Sequence, residues 1–267
     1  MRTLALLALG RSRTTPVREA PRPMEVPFRL RPDRVFKLLA GMIGLLVAMS
    51  ILGDLLIAMV GVDSESPLRS LAGRFVVDSE LNLPTWYSSM TLLACGVLLA
   101  AIAAAQRHVD RGQWKKWALL AAIFAAMSLD EVASLHEMPS GPVRRALALD
   151  GILRFGWVVL ALPAVLIVGC AYAPFLWRLP ARTRNLFLFA ATCYVGGALG
   201  MELVGGYLAE QYGMRAVLYV MAATVEETLE MIGVAVFLFA LLDYIGRRQF
   251  SWSIGVSAPP AGESSAT

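Results

Sequence analysis

The chain has 267 residues, of which 57% are hydrophobic and 16% charged, and its mean hydropathy is +0.62. Soluble globular domains carry about 25% charged residues. The composition therefore excludes an ordinary soluble domain and indicates a membrane protein. The net charge of +4 comes from basic residues grouped at a few connections. It does not indicate nucleic-acid binding, so no nucleic-acid partner is expected.

The two ends of the chain differ in composition from the region between them. Residues 1–34 are rich in Arg and Pro, and we predict a disordered, basic cytoplasmic arm that can rest on anionic lipid headgroups. Residues 246–267 include the low-complexity segment SAPPAGESSAT and are predicted to form a disordered cytoplasmic tail. Residues 35–245 hold the predicted transmembrane domain.

Six apolar runs in this domain are each long enough to cross about 30 Å of hydrocarbon as a helix. The runs are continuous and do not alternate between apolar and polar residues, which favours helices over a barrel of strands. The sequence therefore predicts an all-α bundle of six transmembrane helices. The predicted spans are residues 35–62, 84–105, 117–138, 152–176, 186–208 and 216–244.

Lys and Arg are unevenly divided between the connections. Counting Lys37 with the arm, the arm, the loop after the second span, the loop after the fourth span and the tail hold 18 of the 24 basic residues. Because cytoplasmic connections carry an excess of basic residues, both termini are predicted to be cytoplasmic. Arg far outnumbers Lys, which is associated with GC-rich bacterial genomes, and we therefore expect a multi-pass protein of the bacterial inner membrane.

Acidic residues interrupt four of the predicted spans. At 1.5 Å per residue, most of them fall roughly 9 to 15 Å below the outer ends of their helices, and so share one layer in the outer half of the membrane. Each ionised acid in the centre of a span costs about 2.5 to 3.5 kcal/mol. Arg154 and His136 are the expected nearby cations. Several of these acids must therefore carry protons, or the layer must bind cations.

These acids are the candidate site. We predict a buried carboxylate cluster that binds protons or cations, and this cluster comprises Asp54, Asp130, Glu131, Glu202, Glu226, Glu227 and Glu230. The predicted outer rim of the site comprises Tyr87, Ser89, Ser134, His136, Glu137 and Arg154. A continuous helix would place Asp130, Ser134 and Glu137 on one face and His136 on another. Alternatively, the acids only hydrogen-bond to hydroxyl groups across helix pairs.

Three further patterns bear on the architecture. SLDEVAS in the third span resembles TVEETLE in the sixth, which predicts a 3+3 inverted-topology repeat, although chance similarity between two acidic helices is an equal alternative. Gly196 and Gly200 predict a ridge of small residues for close helix packing, and Gly205 and Gly206 extend this small surface. The segment DSELNLPTWYSS, residues 78–89, is either the mouth of the site or a turn followed by a capped helix.

Three classes of function remain open. The first is a proton- or cation-coupled transporter or small channel. The second is a membrane-embedded enzyme that acts on a lipid, quinone or isoprenoid by acid–base or divalent-metal chemistry, with Glu131, His136, Glu202 and Glu227 as candidate metal ligands. The third is an accessory subunit of a larger membrane complex. Because six helices are few for a carrier, a homodimer or larger complex is expected, with the lipid bilayer and protons or cations as the other partners.

Overall fold

A computed structural model describes residues 31–60, 67–79, 81–107 and 112–248. All regular secondary structure in these ranges is helical, which confirms the all-α prediction for the described part of the chain. The predicted disordered arm up to residue 30 and the tail from residue 249 lie outside the described residues. So do residues 108–111 of the basic loop and Glu80 of the predicted mouth.

The described residues form nine α-helices, a 3₁₀ turn and a π-helix. The 3₁₀ turn, Gly151–Leu153, precedes the sixth helix, and the π-helix, Gly196–Met201, joins the seventh helix to the eighth without a break. The helices are α1 Pro32–Val60, α2 Pro67–Gly73, α3 Leu83–Gln106, α4 Trp114–Ala133, α5 Ser140–Leu147, α6 Val158–Arg178, α7 Ala181–Val195, α8 Glu202–Tyr212 and α9 Val217–Arg248.

Five helical stretches in the described residues are long and apolar enough to cross a membrane. They are Pro32–Met59, Leu83–Gln106, Val158–Arg178, Ala181–Tyr212 and Val217–Arg248. This finding agrees with a multi-pass membrane protein. The predicted third span, residues 117–138, is not among the five, because α4 is only 20 residues long and carries two lysines near its start and two acids near its end. The count of six spans is therefore not confirmed.

Helix α9 is the centre of the bundle, and it packs against α1, α3, α7, α8 and the π-helix. Its two halves lie in different surroundings. From Met231 to Tyr244 most residues are buried among apolar side chains of neighbouring helices, whereas from Thr224 to Glu230 every residue is half-buried or exposed. The bundle is thus closely packed around the second half of α9 and more open around the acidic segment.

Side chains at the two ends of α4 contact α6 or the residue just before it. At its start, the carbonyl oxygen of Lys116 accepts a hydrogen bond of 2.9 Å from the hydroxyl of Tyr172 on α6, and the ring of Trp117 packs against Phe175 at 5.0 Å. Just after its end, the ring of His136 packs against Trp157, the residue that precedes α6. Helix α4 therefore covers the same depth as α6, which is a candidate span.

Asn82 caps the start of α3. Its Oδ1 accepts a hydrogen bond of 3.0 Å from the main-chain N–H of Thr85, and Pro84 occupies the first turn, where its missing N–H has no helical partner to lose. The capped-helix interpretation of this segment is thus correct for the described residues. It does not exclude a position at the mouth of the site, because Asp78 precedes the cap.

Two glycines allow α7 and the π-helix to approach α9 closely. A Cβ atom at Gly233 of α9 would lie 2.8 Å from the main-chain nitrogen of Tyr194 and 2.9 Å from the carbonyl oxygen of Ala190. A Cβ atom at Gly197 of the π-helix would lie 2.8 Å from the carbonyl oxygen of Glu226. The backbones meet without a side chain between them at both positions.

The predicted glycine ridge is wrong at Gly196 and Gly200, whereas Gly206 does allow a close approach, since its Cβ would lie 3.1 Å from the carbonyl oxygen of Ile152. Cβ atoms at Gly196 and Gly200 would have no neighbour within 4 Å, so neither glycine is needed for close packing. The prediction assumed a continuous α-helix, and the π-helix changes which residues face α9. Gly197 makes the close contact instead.

The structure does not support the inverted repeat. SLDEVAS lies at the C-terminal end of α4, whereas TVEETLE lies in the first half of α9. Repeats related by an inverted topology would carry the matching segments at the same position along their helices. The likeness between the two segments therefore does not reflect equivalent places in the fold.

Replacing Gly233 with Ala should lower the melting temperature of the purified protein in detergent. The added Cβ would meet main-chain atoms, which cannot move aside as a flexible side chain can, and such overpacking typically costs about 1 to 3 kcal/mol. The matched control is Gly246→Ala, on the same helix with nothing within 4 Å of the added atom. This variant should melt at or slightly above the wild-type temperature. Equal melting temperatures for the two variants would contradict the close approach of α7 and α9.

Candidate functional site

The C-terminal end of α4 forms the first part of the site. Ser134 adopts the left-handed conformation (φ 49°), which ends the helix, and its N–H donates a 2.7 Å hydrogen bond to the carbonyl oxygen of Asp130. The chain then turns back. The main-chain N–H of His136 donates to Oδ1 of Asp130 at 2.8 Å, and Nδ1 of His136 lies 2.8 Å from Oδ2. The Asp130 carboxyl group therefore holds both the main chain and the ring of His136.

This turn corrects the predicted helical face. The expectation that His136 points away from Asp130 assumed a helix that continues to Glu137, and the helix ends at Ala133. As a result, His136 is bound to Asp130, whereas Glu137 is exposed. Periodicity could not reveal this ending, because a serine in the left-handed conformation leaves no gap in the apolar pattern.

Trp157 connects the end of α4 to the start of α8. The rings of His136 and Trp157 meet edge to face, with centroids 4.9 Å apart. The indole Nε1 then donates a 2.7 Å hydrogen bond to Oε1 of Glu202. Trp157 is thus placed between an Asp–His pair and a glutamate of another helix.

Glu202 and Glu226 form a pair of carboxyl groups between α8 and α9. Their side chains are within hydrogen-bonding range of each other. A hydrogen bond between two carboxyl groups requires a proton on one of them, because a carboxylate has no N–H or O–H to donate.

A second group of acids surrounds Tyr194 of α7. The Tyr194 side chain lies close to the Glu230 carboxyl group and interacts electrostatically with Glu230, Glu131 and Glu227. Glu131 comes from α4, and the other two acids come from α9. Because Glu202 interacts with both Glu227 and Glu230, this group is continuous with the Glu202–Glu226 pair.

The carboxyl groups are not buried, and the prediction of a buried cluster is wrong for the described residues. The half-buried members are Asp54, Asp130, Glu131, Glu202, Glu226, Glu227 and Glu230. The sequence argument equated a place inside an apolar span with burial. The first half of α9 is covered more loosely than its second half, so side chains at the right depth still reach open space.

Asp78 adds a carboxyl group from the segment between α2 and α3. This segment is held in place because the main-chain N–H of Val77 donates to the Ser50 hydroxyl of α1 at 3.0 Å, and the Asn82 amide donates to the carbonyl oxygens of Val76 and Ser79. The segment therefore presents Asp78 from a fixed position.

The surroundings of Asp78 make its carboxyl group hard to ionise. Although Asp78 is exposed as a whole residue, partial loss of hydration of its carboxyl group, together with the negative charges of Glu202, Asp54 and Glu137, raises its pKa from the ordinary value of 3.8 to about 7. Asp54 thus joins the other acids through Asp78. The sequence had placed Asp78 only in a segment for which a turn followed by a capped helix was the favoured interpretation.

Three predicted rim residues have partners outside the acidic cluster. The Tyr87 hydroxyl donates to a main-chain carbonyl oxygen of α1 at 3.4 Å. Ser89 and Ser128 hydrogen-bond across α3 and α4, both with each other and with each other's carbonyl oxygens. Arg154 forms a 2.6 Å ion pair with Glu210 near the end of α8. These contacts pair helices or fix the rim.

The four candidate metal ligands are not gathered into one ligand set. Among the residues that the structure describes, no group of three or more His, Cys, Asp or Glu side chains is arranged to hold a metal ion. His136 is bound to Asp130, and Trp157 lies between its ring and Glu202.

Sequence patterns assigned no role to Trp157 or Tyr194. In the structure Trp157 contacts two predicted site residues, and Tyr194 interacts electrostatically with several. Trp157 directly follows Gly156, and Tyr194 lies two residues before Gly196, but nearby glycines are common and do not by themselves indicate a site.

A family model described as Domain of unknown function (DUF8692) matches residues 39–245. The chain belongs to this family. The matched part of the DUF8692 chain includes every acid of the site together with His136, Trp157 and Tyr194. No curated protein and no solved structure matches the chain.

The Trp157→Phe variant should be less stable than the wild-type DUF8692 protein. Phenylalanine keeps a ring against His136 but cannot donate to Glu202, and loss of a hydrogen bond to a charged or half-buried group costs about 1 to 3 kcal/mol. The free energy of unfolding can be measured by denaturant titration in mixed micelles. Trp86→Phe is the control, because Trp86 is largely exposed. If both variants lose the same stability, the bond to Glu202 contributes nothing.

The pKa of Asp78 predicts a pH dependence of stability. The folded protein holds the Asp78 proton more tightly than the unfolded chain does. Its contribution to stability is thus complete below the ordinary value of 3.8 and is lost as the pH rises through about 7. The free energy of unfolding of wild type should therefore fall across this range more steeply than that of Asp78→Asn. Asp33→Asn, at an exposed position in the first turn of α1, should keep the wild-type slope. A slope unchanged by Asp78→Asn would refute the raised pKa.

Proposed function

We propose that this DUF8692 protein is a proton-coupled transporter or small channel whose carboxyl groups bind protons or cations within the membrane. The observation that carries the proposal is the series of contacts from Asp130 through His136, Trp157 and Glu202 to Glu226. It joins residues of four helical elements. Ionisable residues within spanning helices usually mark proton or ion pathways, because a charge in hydrocarbon is costly without such a role.

Half-burial of the acids supports transport over a purely structural role. A carboxyl group that only fastened two helices together would be enclosed by its hydrogen-bond partners. Here the acids of α9 remain partly open although they lie within a candidate span. Hydrocarbon cannot hydrogen-bond to them, so water, an ion or another protein chain must complete their surroundings.

The membrane arrangement in this proposal has six crossings. Helix α4 is the additional membrane crossing in this arrangement, because residues at both of its ends contact residues at the neighbouring ends of α6. Its lysines then lie at the cytoplasmic surface with the other basic connections, and its acids lie towards the outer side. We place the protein in a bacterial inner membrane with both termini in the cytoplasm. The exposed apolar surfaces of α1 and α6 face lipid or a second copy.

The experiment that tests the proposal measures proton movement in proteoliposomes loaded with the pH-sensitive dye pyranine. Gradients of pH, Na⁺, K⁺ or Mg²⁺ are imposed one at a time. Glu202→Gln should reduce the protein-dependent proton flux at least about tenfold, since removing a charged partner costs more than 1.4 kcal/mol. Glu210→Gln is the control on the same helix, because Glu210 pairs with Arg154 outside the cluster. It should retain the flux.

Two results would overturn the transport proposal. One is a proton flux in protein-containing vesicles that never exceeds the flux of empty vesicles under any of the imposed gradients. The other is an equal loss of flux in Glu202→Gln and Glu210→Gln, which would mean that the acidic cluster has no special role.

The Asp130–His136 contact favours one second candidate, a membrane-embedded enzyme that acts on a lipid, quinone or isoprenoid. A carboxylate bound to one ring nitrogen orients the imidazole and directs the other nitrogen away, as acid–base catalysis requires. This enzyme would move no protons in the vesicles described above. It would instead convert a component of a membrane extract, and the product would disappear with His136→Gln.

A further inference from the structure

The connection between α4 and α6 carries a feature that the transport proposal does not use. Helix α5 and the residues after it border an open pocket of about 300 Å³. Its lining residues are Gly141, Arg144, Arg145, Ala148, Leu149 and Asp150. Four of them, at positions 141, 144, 145 and 148, follow the spacing that places residues on one side of a helix. The pocket therefore combines two arginines with one acid.

Arg144 is fixed in this pocket by the chain that follows α5. Ala148 adopts the left-handed conformation (φ 49°), which ends the helix and turns the chain back. Nε of Arg144 then donates to the carbonyl oxygen of Leu149, and one terminal nitrogen donates to Oδ1 of Asp150, both at 3.2 Å. Because a guanidinium group has five N–H donors, these two bonds leave others to face a ligand.

Arg145 supplies the second guanidinium group and is exposed. One of its terminal nitrogens lies 3.6 Å from the position that a Cβ atom would take at Gly141. The absence of a side chain at Gly141 thus leaves room beside this guanidinium group. With two arginines and Asp150, the pocket has a net positive charge of one.

The pocket lies at the edge of the membrane-spanning bundle. Helix α5 follows the end of α4 and is fastened to the start of α6 at Gly156, where a Cβ atom would lie 2.6 Å from the carbonyl oxygen of Ser140 and 2.9 Å from the nitrogen of Arg144. Three large apolar side chains flank this region and are mostly exposed. They are Met138 (71%), Leu147 (57%) and Ile152 (55%).

We propose that the α5 pocket binds the phosphodiester group of a membrane phospholipid. Guanidinium groups bind phosphate oxygens in pairs, and one phosphodiester charge balances the net charge of the pocket. The exposed apolar side chains would contact the acyl chains of the same lipid, as in helices that lie in the membrane interface. A soluble anion would use the arginines but would leave these apolar residues in water. This site does not depend on proton transport.

The test uses the full-length protein in a mild detergent, with bound lipid counted by native mass spectrometry as phosphatidylglycerol is added. The wild-type protein should retain a lipid molecule at concentrations where Arg145→Gln retains roughly tenfold less. Arg145→Lys should bind to an intermediate extent, because it keeps the charge but loses the paired geometry. Arg215→Gln, an exposed arginine between α8 and α9, is the control and should retain the lipid. Melting temperatures establish that each variant is folded.

Repeating the experiment with inorganic phosphate instead of the lipid distinguishes a phospholipid headgroup from a soluble phosphate as the ligand. If phosphate protects the protein against unfolding in an Arg145-dependent manner and the lipid does not bind, the ligand is a soluble anion and the phospholipid proposal is wrong. Equal lipid retention by wild type, Arg145→Gln and Arg145→Lys would also overturn it. The proposal is supported if both Arg145 variants retain less lipid than wild type while Arg215→Gln retains as much as wild type.

Discussion

The close packing of α9 against α7 and the π-helix determines where the acidic side chains meet. At Gly197 and Gly233 the helix backbones approach without an intervening side chain. The close approach of the backbones brings Tyr194 near Glu230 and Glu202 near Glu226. A wider separation would leave each of these acids without its partner in an apolar environment. The acidic cluster thus depends on two positions that carry no functional group.

A single helix provides both the stability of the bundle and its polar chemistry. The second half of α9 is enclosed by apolar side chains and anchors α1, α3 and α7. The first half carries three glutamates in a looser environment. Apolar burial stabilises folding by roughly 25 cal/mol per Å² of buried surface, and this gain in one half offsets the cost of like charges in the other. This division of α9 into an acidic half and an apolar half explains how the chain tolerates so many acids without an equal number of nearby cations.

The sequence predicted those features that depend on composition and on periodicity over many residues. It predicted an all-helical membrane protein, and it placed Glu202 and Glu226 at a common depth. It did not predict features that depend on one or two backbone angles or on tertiary contacts. The left-handed Ser134 brings His136 back to Asp130, and Trp157 meets Glu202 only because α6 and α8 are neighbours in space. Burial was also misjudged, because depth along a helix does not reveal how closely other helices cover it.

The number of residues in the π-helix between α7 and α8 determines which way the site residues after it face. A π turn contains about one residue more than an α turn, so the residues that follow it are rotated by roughly 100° about the helix axis. This rotation is what allows Tyr194 before the π-helix and Glu202 after it to face α9 together. Removal of any single residue from Gly196–Met201 would restore the ordinary helical phase and turn Glu202 away from Glu226. The site would be lost although each of its side chains were still present.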